Sequence, residues 1–211
     1  MGKTVIYYSS NHEDPAFEQR IIANLRKQAG DLPIVSVTQK PMDLGKNICV
    51  GEHGLSYVNL FRQILIGAEA ATTEYVQYAE SDFLYPKDYF DFEPTEDVYL
   101  YDPIWIVYIV GGGFVRKAYS EGAQIVRREL LIERLKTFLA GQPEWFDGRR
   151  KLPGEEPFKH WKNNTPRFGK HPAVSFKTGR GVSRKTSTMQ EWTSTLPVWG
   201  TFEELMVRYV D

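Results

Sequence analysis

Two carboxylates stand one residue apart at Glu80 and Asp82, directly after the apolar-leaning run Tyr75 to Ala79. That run has the length and composition of a short buried β-strand. Side chains at i and i+2 of an extended segment point the same way. Such a pair at the end of a strand can hold one hard divalent cation, with phosphate oxygens as its further ligands. The other interpretation of so short a motif is a solvated acidic turn.

The segment before these carboxylates predicts strands alternating with helices. Capping residues, an apolar helical face and β-branched runs mark five elements in the order strand, helix, strand, helix, strand: 3–8, 14–30, 32–38, 56–71 and 75–79. A β-α-β opening implies parallel strands joined by right-handed crossovers. The predicted fold class is therefore α/β.

Polar residues follow the first two predicted strands. Ligands of parallel sheets bind at the carboxyl ends of the strands. Ser9, Ser10, Asn11, Gln39 and Lys40 are therefore predicted to lie at the ligand edge of the sheet. A glycine-bearing loop over residues 43–54 follows them. Neither a phosphate-binding G-x-x-x-x-G-K-[S/T] loop nor a G-x-G-x-x-G motif is present in the sequence.

The sequence after Pro86 predicts two more strands, over residues 98–101 and 104–110, and a third short strand over residues 114–118. Ser120 and Glu121 are predicted to open a helix that ends near Gly141, because apolar residues recur there at helical spacing. Residues 202–210 form a short amphipathic helix or strand in this prediction. The predicted organisation is a core over residues 1–141 and a C-terminal segment over residues 142–211 that packs on it and closes the site.

The stretch from Arg149 to Gln190, here called the basic segment, holds eleven Lys and Arg residues and only two Glu. Aromatic residues interleave with these charges, and Arg180 and Arg184 lie in a glycine-bearing loop typical of phosphate contacts. Three interpretations stay open. The segment closes over a diphosphate, it receives a polyanionic acceptor, or it is a solvated face that balances the acidic residues of 74–102.

The composition limits the classes of protein to which the chain can belong. The chain has 211 residues, 42% of them apolar, which suits a globular domain with a sizeable core. A single cysteine, Cys49, excludes an internal disulfide framework. No signal peptide and no apolar run of 18 residues is present. We expect a soluble, cytoplasmic protein.

The strand followed by Glu80-Ser-Asp82 and by Phe83-Leu-Tyr-Pro86 resembles the acidic motif of GT-A-fold glycosyltransferases of the family 2-like sort. The resemblance spans roughly residues 3–140. Its second element is the helix before the motif, where Asn59 and Arg62 fall near the expected donor. Its third is the aromatic strand pair and glycine turn of 98–113, which leads to a helix whose N-terminus is expected to face the site. The first acidic position is Glu rather than Asp, and no C-terminal Q-x-x-R-W signature is present.

The resemblance implies a GT-A, Rossmann-like fold with a mainly parallel mixed sheet flanked by helices and an irregular basic C-terminal segment. It implies Mn²⁺ or Mg²⁺ held by Asp82 with Glu80, and a C-terminal histidine, His160 or His171, as a third ligand. It also implies contacts to the base, ribose or phosphates of the donor nucleotide from Ser9, Ser10, Asn11, Gln39 and Lys46. Glu121 and Asp102 are the two candidates for the catalytic base.

The implied activity is transfer of a sugar from a nucleotide-diphosphate sugar, with UDP preferred, to a hydroxyl acceptor. A glycan or a small molecule is the default acceptor. DNA with hydroxymethylated bases is the variant that the basic segment favours, since some small phage-type glycosyltransferases modify such DNA. The alternative function is a non-catalytic nucleic-acid-binding protein on a glycosyltransferase-like scaffold.

Overall fold

The computed structural model describes residues 2–118, 120–147, 164–181 and 191–211. The elements follow in chain order, with a short 3₁₀ turn at Ile109–Gly111: β1 (Lys3–Ser9), α1 (Pro15–Ala29), β2 (Ile34–Thr38), β3 (Lys46–Cys49), α2 (Tyr57–Ala70), β4 (Tyr75–Glu80), β5 (Phe83–Leu84), α3 (Lys87–Asp91), β6 (Val98–Tyr101), β7 (Ile104–Tyr108), β8 (Gly113–Lys117), β9 (Gln124–Arg127), α4 (Arg128–Leu139), β10 (Arg167–Phe168), β11 (Ala173–Phe176), β12 (Trp192–Thr193), β13 (Thr195–Leu196), β14 (Gly200–Thr201) and α5 (Phe202–Tyr209).

The central sheet has seven strands in the order β10-β6-β9-β4-β1-β2-β3. β1 pairs in parallel with both β2 and β4, and β2 pairs in parallel with β3. β9 is antiparallel to β4 and to β6, while β10 is parallel to β6. The sheet is therefore mainly parallel, and the carboxyl ends of β1, β2 and β4 lie side by side at one edge.

A second sheet of five strands has the order β12-β8-β7-β11-β5. β5 follows the acidic pair directly, and it pairs antiparallel with β11 through Leu84 and Val174. β11 also runs parallel to β7. A strand of the C-terminal third is thus hydrogen-bonded beside the segment that follows Asp82.

The side chains of β1 point alternately into two apolar layers on opposite faces of the sheet. Val5 and Tyr7 point to the layer that contains α1, whereas Ile6 and Tyr8 point to the layer that contains α2 and α4. All four side chains are buried. A strand with both faces covered by helices is what a nearly continuous apolar run specifies, so the burial of both faces explains the composition of β1.

Local capping fixes where the first two helices begin, as the sequence predicts. The Asp14 carboxylate accepts hydrogen bonds from the amides of Ala16 and Phe17, with Pro15 in the first turn. Ser56 caps α2 by accepting from the amide of Asn59 at 3.0 Å. Both caps follow loops at the carboxyl edge of the sheet, so they hold those loops in place.

The helix predicted from Ser120 to Gly141 is correct only from Arg128 onward. Residues 124–127 form β9, in which Ile125 and Val126 point to opposite apolar layers. Pairing with β4 and β6 overrides the helical spacing of the apolar residues. The Arg128 amide donates to the carbonyl of Glu74, just before β4, at 2.9 Å. The N-terminus of α4 therefore lies at the edge of the sheet opposite the acidic pair, contrary to the resemblance.

In two other segments the structure gives more detail than the sequence prediction does. The predicted loop over 43–54 contains the edge strand β3, and residues 202–209 are helical, with a capping box between Thr201 and Glu204. The predicted domain boundary at residue 141 stays a prediction. Of the residues after it, those that the structure describes add strands to all three sheets.

We predict that Gly67→Ala destabilises the fold, because α2 crosses β1 at this glycine. A Cβ on Gly67 would lie 2.6 Å from Ile6 Cγ2, which is closer than packed carbons approach. The free energy of unfolding should fall by about 1–3 kcal/mol in urea denaturation followed by circular dichroism. The control Glu69→Ala loses only an exposed ion pair with Lys136 and should stay within about 0.5 kcal/mol of wild type. Equal stability of the two variants would contradict this close packing.

Candidate functional site

A cleft opens at the carboxyl ends of β1, β2 and β4. The residues that line it come from these strand ends and the loops after them, from α2 and the loop before it, and from the segment after β11: Tyr8, Ser9, Ser10, Glu13, Gln39, Gly54, Leu55, Ser56, Tyr57, Leu60, Gln63, Glu80, Ser81, Asp82, Lys177 and Gly181. The predicted residues Ser9, Ser10, Gln39, Glu80 and Asp82 are thus brought together. This position is where parallel α/β sheets bind ligands.

Glu80 and Asp82, here called the acidic pair, are held by contacts from several elements. Glu80 Oε1 accepts from the Tyr8 hydroxyl at 2.8 Å, and the Glu80 amide donates to the Tyr85 hydroxyl at 3.1 Å. The Asp82 carbonyl accepts from the Phe176 amide at 2.8 Å. Both ends of the turn are therefore fixed, one by aromatic hydroxyls and the other by β11.

Gly122 packs directly against the Glu80 carboxylate. A Cβ at residue 122 would overlap the carboxylate carbon and both of its oxygens. The Gly122 carbonyl also accepts from the Tyr85 hydroxyl at 2.5 Å. A glycine at this position leaves the space that the Glu80 side chain occupies.

Burial raises the pKa of both carboxyl groups of the acidic pair. For Glu80, the charge of Asp82 raises the pKa further, while Lys177, the Tyr8 hydroxyl and Lys117 lower it. For Asp82, Lys177 and then Lys117 oppose the effect of burial. Desolvated like charges favour any ligand that supplies positive charge. The pair is therefore electrostatically suited to a cation.

Two lysines accompany the acidic pair. Lys177 follows β11 and lines the cleft, and Lys117 ends β8, where its Nζ donates to Ser120 Oγ at 3.0 Å. Burial and then the charge of Lys177 lower the pKa of Lys117 to about 8, against the opposing effect of Glu80, Asp82 and Glu121. Two amines whose charges repel each other favour an anion between them. The site thus offers charge for a cation and for phosphate.

The strand ends of β1 and β2 form the other half of the cleft. Gln63 of α2 ties them together, because its Nε2 donates to the carbonyls of Ser9 and Val37 at 2.8 Å each. Gln39 Oε1 accepts from the His53 amide at 2.8 Å, whereas Gln39 Nε2 is buried without a hydrogen-bond partner. Gln39 therefore has the N–H donors of its Nε2 to offer to a ligand.

Asn11 lies beside the cleft rather than in it. Its side chain accepts from the Lys40 amide at 2.9 Å, and its backbone has a φ of 54°. It lines an adjoining shallow pocket together with Gln39 and His53, and the His53 ring stacks on Trp145 with centroids 4.1 Å apart. Asn11 thus shapes the loop after β1, at the margin of the predicted nucleotide site.

Three predicted contacts to the nucleotide lie elsewhere. Lys46 begins β3, opposite Val35, and is therefore at the amino end of the strand rather than at the ligand edge. Asn59 is buried and hydrogen-bonds the backbones of Gly54 and Phe146. Arg62 donates to the Pro143 carbonyl at 2.9 Å. The polar residues of α2 hold two loops against the helix, which a helical pattern alone does not distinguish from ligand contacts.

The two candidates for the base differ in position. Asp102 is paired with Arg116, and its Oδ2 lies 3.8 Å from Arg167 Nη1, outside the cleft. Glu121 precedes Gly122, which packs on Glu80, and its charge raises the pKa of Lys117 and of Tyr78. Glu121 is not at a helix start, because α4 begins at Arg128.

His171 is not near the acidic pair. Its Nδ1 lies 2.9 Å from Asp88 Oδ1, at the opposite end of β11 from Lys177. Among the described residues, no three or more His, Cys, Asp or Glu side chains form a group that could share an ion. The other predicted third ligand, His160, lies outside the described residues.

The basic segment is described only in part. Arg180 is placed near the start of α1, with its Nη1 3.8 Å from Asp14 Oδ2. Arg184 and most other charges of the basic segment lie outside the described residues. No helix in the described part of the chain is both long and apolar enough to cross a bilayer.

Glu13, Lys117 and Lys177 were not predicted as site residues. Glu13 follows β1 by four residues, so the strand-end rule that selected Ser9 and Asn11 also applies to it. Lys177 follows the short strand β11, which was not predicted, because its four residues lie between glycine- and proline-rich turns. Lys117 lies near the end of the strand predicted over residues 114–118, and a single lysine there does not indicate a binding site.

Comparison with known proteins shows similarity in structure only. No protein-family model matches the sequence, and no curated protein sequence matches it. The crystal structure of S. aureus TarS 1-349 is similar with a TM-score of 0.52 and 15% identity, covering 85% of this chain and 62% of that chain. The apo-form glycosyltransferase GlyE of Streptococcus pneumoniae TIGR4 has a TM-score of 0.46 at 12% identity, covering 80% and 45%. The mannosyltransferase PcManGT of Pyrobaculum calidifontis, in complex with GDP-Man and Mn²⁺, has a TM-score of 0.44 at 15% identity, covering 85% and 58%.

The similarity to TarS shows the fold. The chain has a GT-A glycosyltransferase-like fold, which confirms the predicted class of a mixed, mainly parallel sheet flanked by helices. The chain spans about three-fifths of the length of the TarS chain.

We predict that stability falls as the pH rises through the range in which Glu13 ionises. Burial and then the charge of Asp82 raise the pKa of Glu13 to about 7 in the folded state, from 4.5 in the unfolded chain. Between these values the folded state binds more protons, so raising the pH favours unfolding. Glu80 and Asp82, whose pKa values are also raised, act in the same direction. Glu13 alone should contribute about 1–2 kcal/mol between pH 5.0 and 7.5, less than its full shift implies because the cleft is open to water.

The measurement is urea denaturation of wild type and Glu13→Gln at both pH values. The variant should lose the share of the pH dependence that belongs to Glu13, and only the share of the acidic pair should remain. Glu133→Gln, on the exposed side of α4, should keep the pH dependence of wild type. The same pH dependence in Glu13→Gln as in wild type would contradict the raised pKa.

Proposed function

We propose that this protein is a metal-dependent glycosyltransferase that uses a nucleoside-diphosphate sugar, with UDP as the preferred nucleotide. The observation that carries the proposal is the half-buried acidic pair at the carboxyl end of β4, which lines one cleft together with Lys177. Its place in a GT-A glycosyltransferase-like fold supports the same reading. The alternative interpretation of the motif, a solvated acidic turn, predicts exposed carboxylates, whereas Glu80 and Asp82 are half-buried at the cleft.

The acidic pair fits a divalent cation. Two carboxylates on one short turn provide hard oxygen ligands, and the repulsion between them is relieved by a cation. Mg²⁺ and Mn²⁺ sites of this kind take further oxygens from substrate phosphates rather than from a full set of protein ligands. Asp82 and Glu80 would hold the ion. When bound, it would act as a Lewis acid that lowers the cost of negative charge on the departing nucleoside diphosphate.

The lysines complement the acidic pair. Lys177 and Lys117 would bind phosphate oxygens of the donor, so that their charges stabilise the negative charge that develops on the diphosphate as the glycosidic bond breaks. The nucleoside would lie over the ends of β1 and β2, between Ser10 and Gln39. Gln39 Nε2 provides an N–H donor there, and uracil offers two carbonyl oxygens as acceptors.

Glu121 is the base that we propose for activation of the acceptor hydroxyl. It adjoins the residue that packs on Glu80, and its charge is felt at Lys117. Asp102, the other candidate, is engaged with Arg116 and Arg167 outside the cleft. A carboxylate within reach of the acceptor hydroxyl is what general base catalysis requires.

Hydroxymethylated DNA stays a hypothesis for the acceptor. Its support is the charge of the basic segment in the sequence. Incubation with labelled UDP-sugars and either plain or hydroxymethylated duplex DNA tests it, since transfer to the modified duplex alone identifies the acceptor. Tight but salt-sensitive DNA binding without any donor binding would instead favour the non-catalytic alternative.

We predict that UDP together with Mn²⁺ raises the melting temperature of the protein and that Asp82→Asn removes the part that depends on Mn²⁺. A ligand that binds the folded state at about 100 times its Kd contributes about 2.7 kcal/mol, equivalent to about 5–10 °C for a chain of this size. Differential scanning fluorimetry with UDP, GDP, ADP and CDP, with and without Mn²⁺, measures the effect.

The control for this experiment is Asp91→Asn, whose carboxylate is exposed and forms an ion pair with Lys87. It should respond as wild type does. No stabilisation by any nucleotide would overturn the enzymatic proposal. A wild-type response of Asp82→Asn to Mn²⁺ would overturn the assignment of the acidic pair alone.

A further inference from the structure

The turn between β7 and β8, here called the hairpin tip, comprises residues 109–112 and contains only isoleucine, valine and glycine. Val110 is 90% exposed and Ile109 is 54% exposed. Surface turns usually carry Asn, Asp, Ser or Pro beside glycine, because those side chains hydrogen-bond to the turn or fix its angles. An exposed turn with no polar side chain therefore requires another explanation.

Two aromatic rings support the hairpin tip. The ring of Tyr108 packs on Gly111, where an added Cβ would overlap it. The indole of Trp192 packs on Gly113, where a Cβ would lie 2.7 Å from both Cε2 and Nε1. The two glycines leave room for the rings, and the rings hold the turn in place. The aliphatic side chains of the tip therefore stay on the outside of the protein.

Trp192 adds a third exposed apolar side chain at this place, since it is 53% exposed. β12 pairs with β8 through Trp192 and Val115, which sets the indole directly beside the tip. In the described part of the chain six large apolar side chains are exposed, and three of them lie here. Single exposed apolar residues are ordinary, whereas a contiguous group marks a surface that binds something.

The shape of this group favours a lipid bilayer over a protein as its partner. Three side chains on a projecting turn cannot supply the roughly 800 Å² that each partner of a stable protein complex buries. A bilayer needs no complementary surface, because its fluid chains adapt to the turn. The aliphatic residues lie outermost and the tryptophan lies behind them, which is the order of the acyl layer and the headgroup interface.

The hairpin tip lies at the same end of the second sheet as the cleft. Val107 of β7 is opposite Phe176 of β11, whose amide donates to the carbonyl of Asp82 at 2.8 Å. The tip itself carries no charge, and the exposed Glu191 precedes Trp192. Binding at the tip therefore depends on apolar contact rather than on anionic lipid. A docked protein would hold its cleft near the headgroup layer.

We infer that the hairpin tip inserts into the surface of a lipid bilayer, with Ile109 and Val110 among the acyl chains and Trp192 at the headgroup level. The inference concerns a surface outside the proposed nucleotide site and does not depend on the proposed function. Membrane affinity grows with the apolar area that is buried, so a tip of this size gives weak and reversible binding.

Flotation of the full chain with phosphatidylcholine vesicles tests the inference. Zwitterionic lipid is chosen because it removes the attraction of the basic segment to anionic membranes. Wild type should float with the vesicles. Val110→Asp should lower the partition coefficient about 10-fold or more, because it loses the burial of the valine and adds a charge. Val110→Leu should bind at least as well as wild type. The matched control Val207→Asp changes a valine of α5 that is 69% exposed and should bind as wild type does.

Quenching of tryptophan fluorescence by brominated phosphatidylcholine gives a second measurement. The chain has five tryptophans, and only Trp192 is placed at the interface by this inference. Wild type should lose fluorescence on binding to brominated vesicles. Trp192→Phe should lose most of that quenching per molecule bound. Quenching that persists unchanged in Trp192→Phe would show that another surface faces the lipid, and the inference would be overturned.

The remaining outcomes are equally decisive. The inference fails if wild type does not float, or if Val110→Asp floats as wild type does. Dimerisation in analytical ultracentrifugation that Val110→Asp abolishes, without vesicle binding by wild type, would identify the tip as a contact between two copies instead. Circular dichroism checks that Val110→Asp is folded, and Ile109→Ser repeats the test at a second position. None of these results affects the binding of UDP and Mn²⁺, so failure here and failure of the proposed function are distinguishable.

Discussion

The placing of two half-buried carboxylates side by side at the end of β4 is the constraint on which the rest of the site depends. Desolvated like charges are costly, and the fold offsets that cost with the hydrogen bond that the Tyr8 hydroxyl donates to Glu80 and with the positive charges of Lys177 and Lys117. These groups come from β1, β8 and the segment after β11, so several distant stretches of chain must meet at one turn. The two carboxylates are therefore stabilised at this position only when the complete fold has formed.

The second sheet is what brings the C-terminal third to this turn. β5 begins one residue after Asp82, and β11 pairs with it, so the residue that follows β11 is placed beside the acidic pair by backbone hydrogen bonds. β11 is fixed on its other side by β7. Strand pairing thus brings the ammonium group of Lys177 close to the carboxylates of Glu80 and Asp82. The sheet therefore determines the position of Lys177, although this residue lies nearly a hundred residues after the acidic pair in the chain.

Local signals explain which parts of the fold the sequence could predict. β1, α1, β2, α2 and β4 have caps, helical faces or β-branched runs of their own, and each was predicted. The local pattern of β9 predicts the start of a helix, because its identity as a strand comes from pairing with β4 and β6, which a local pattern does not contain. The same reason hid β11, and with it Lys177. Glu13 was accessible to the strand-end rule, but its importance depends on its burial and on its contact with Thr178.

Hydrogen-bond satisfaction separates the polar residues that hold the cleft from those that face a ligand. Asn59 has its amide oxygen and nitrogen both bonded to backbone, so nothing remains for a substrate, and its predicted role as a nucleotide contact gives way to a structural one. Gln63 joins the ends of β1 and β2 in the same way. Gln39 and Glu13 each use one atom on the protein and leave the other buried and unpartnered beside the cleft. An unpaired buried polar atom costs stability, so a ligand that hydrogen-bonds to it gains binding energy. Side chains of this kind in a cleft therefore indicate where a ligand binds. They are recognised from contacts in the folded structure, which no short sequence motif encodes.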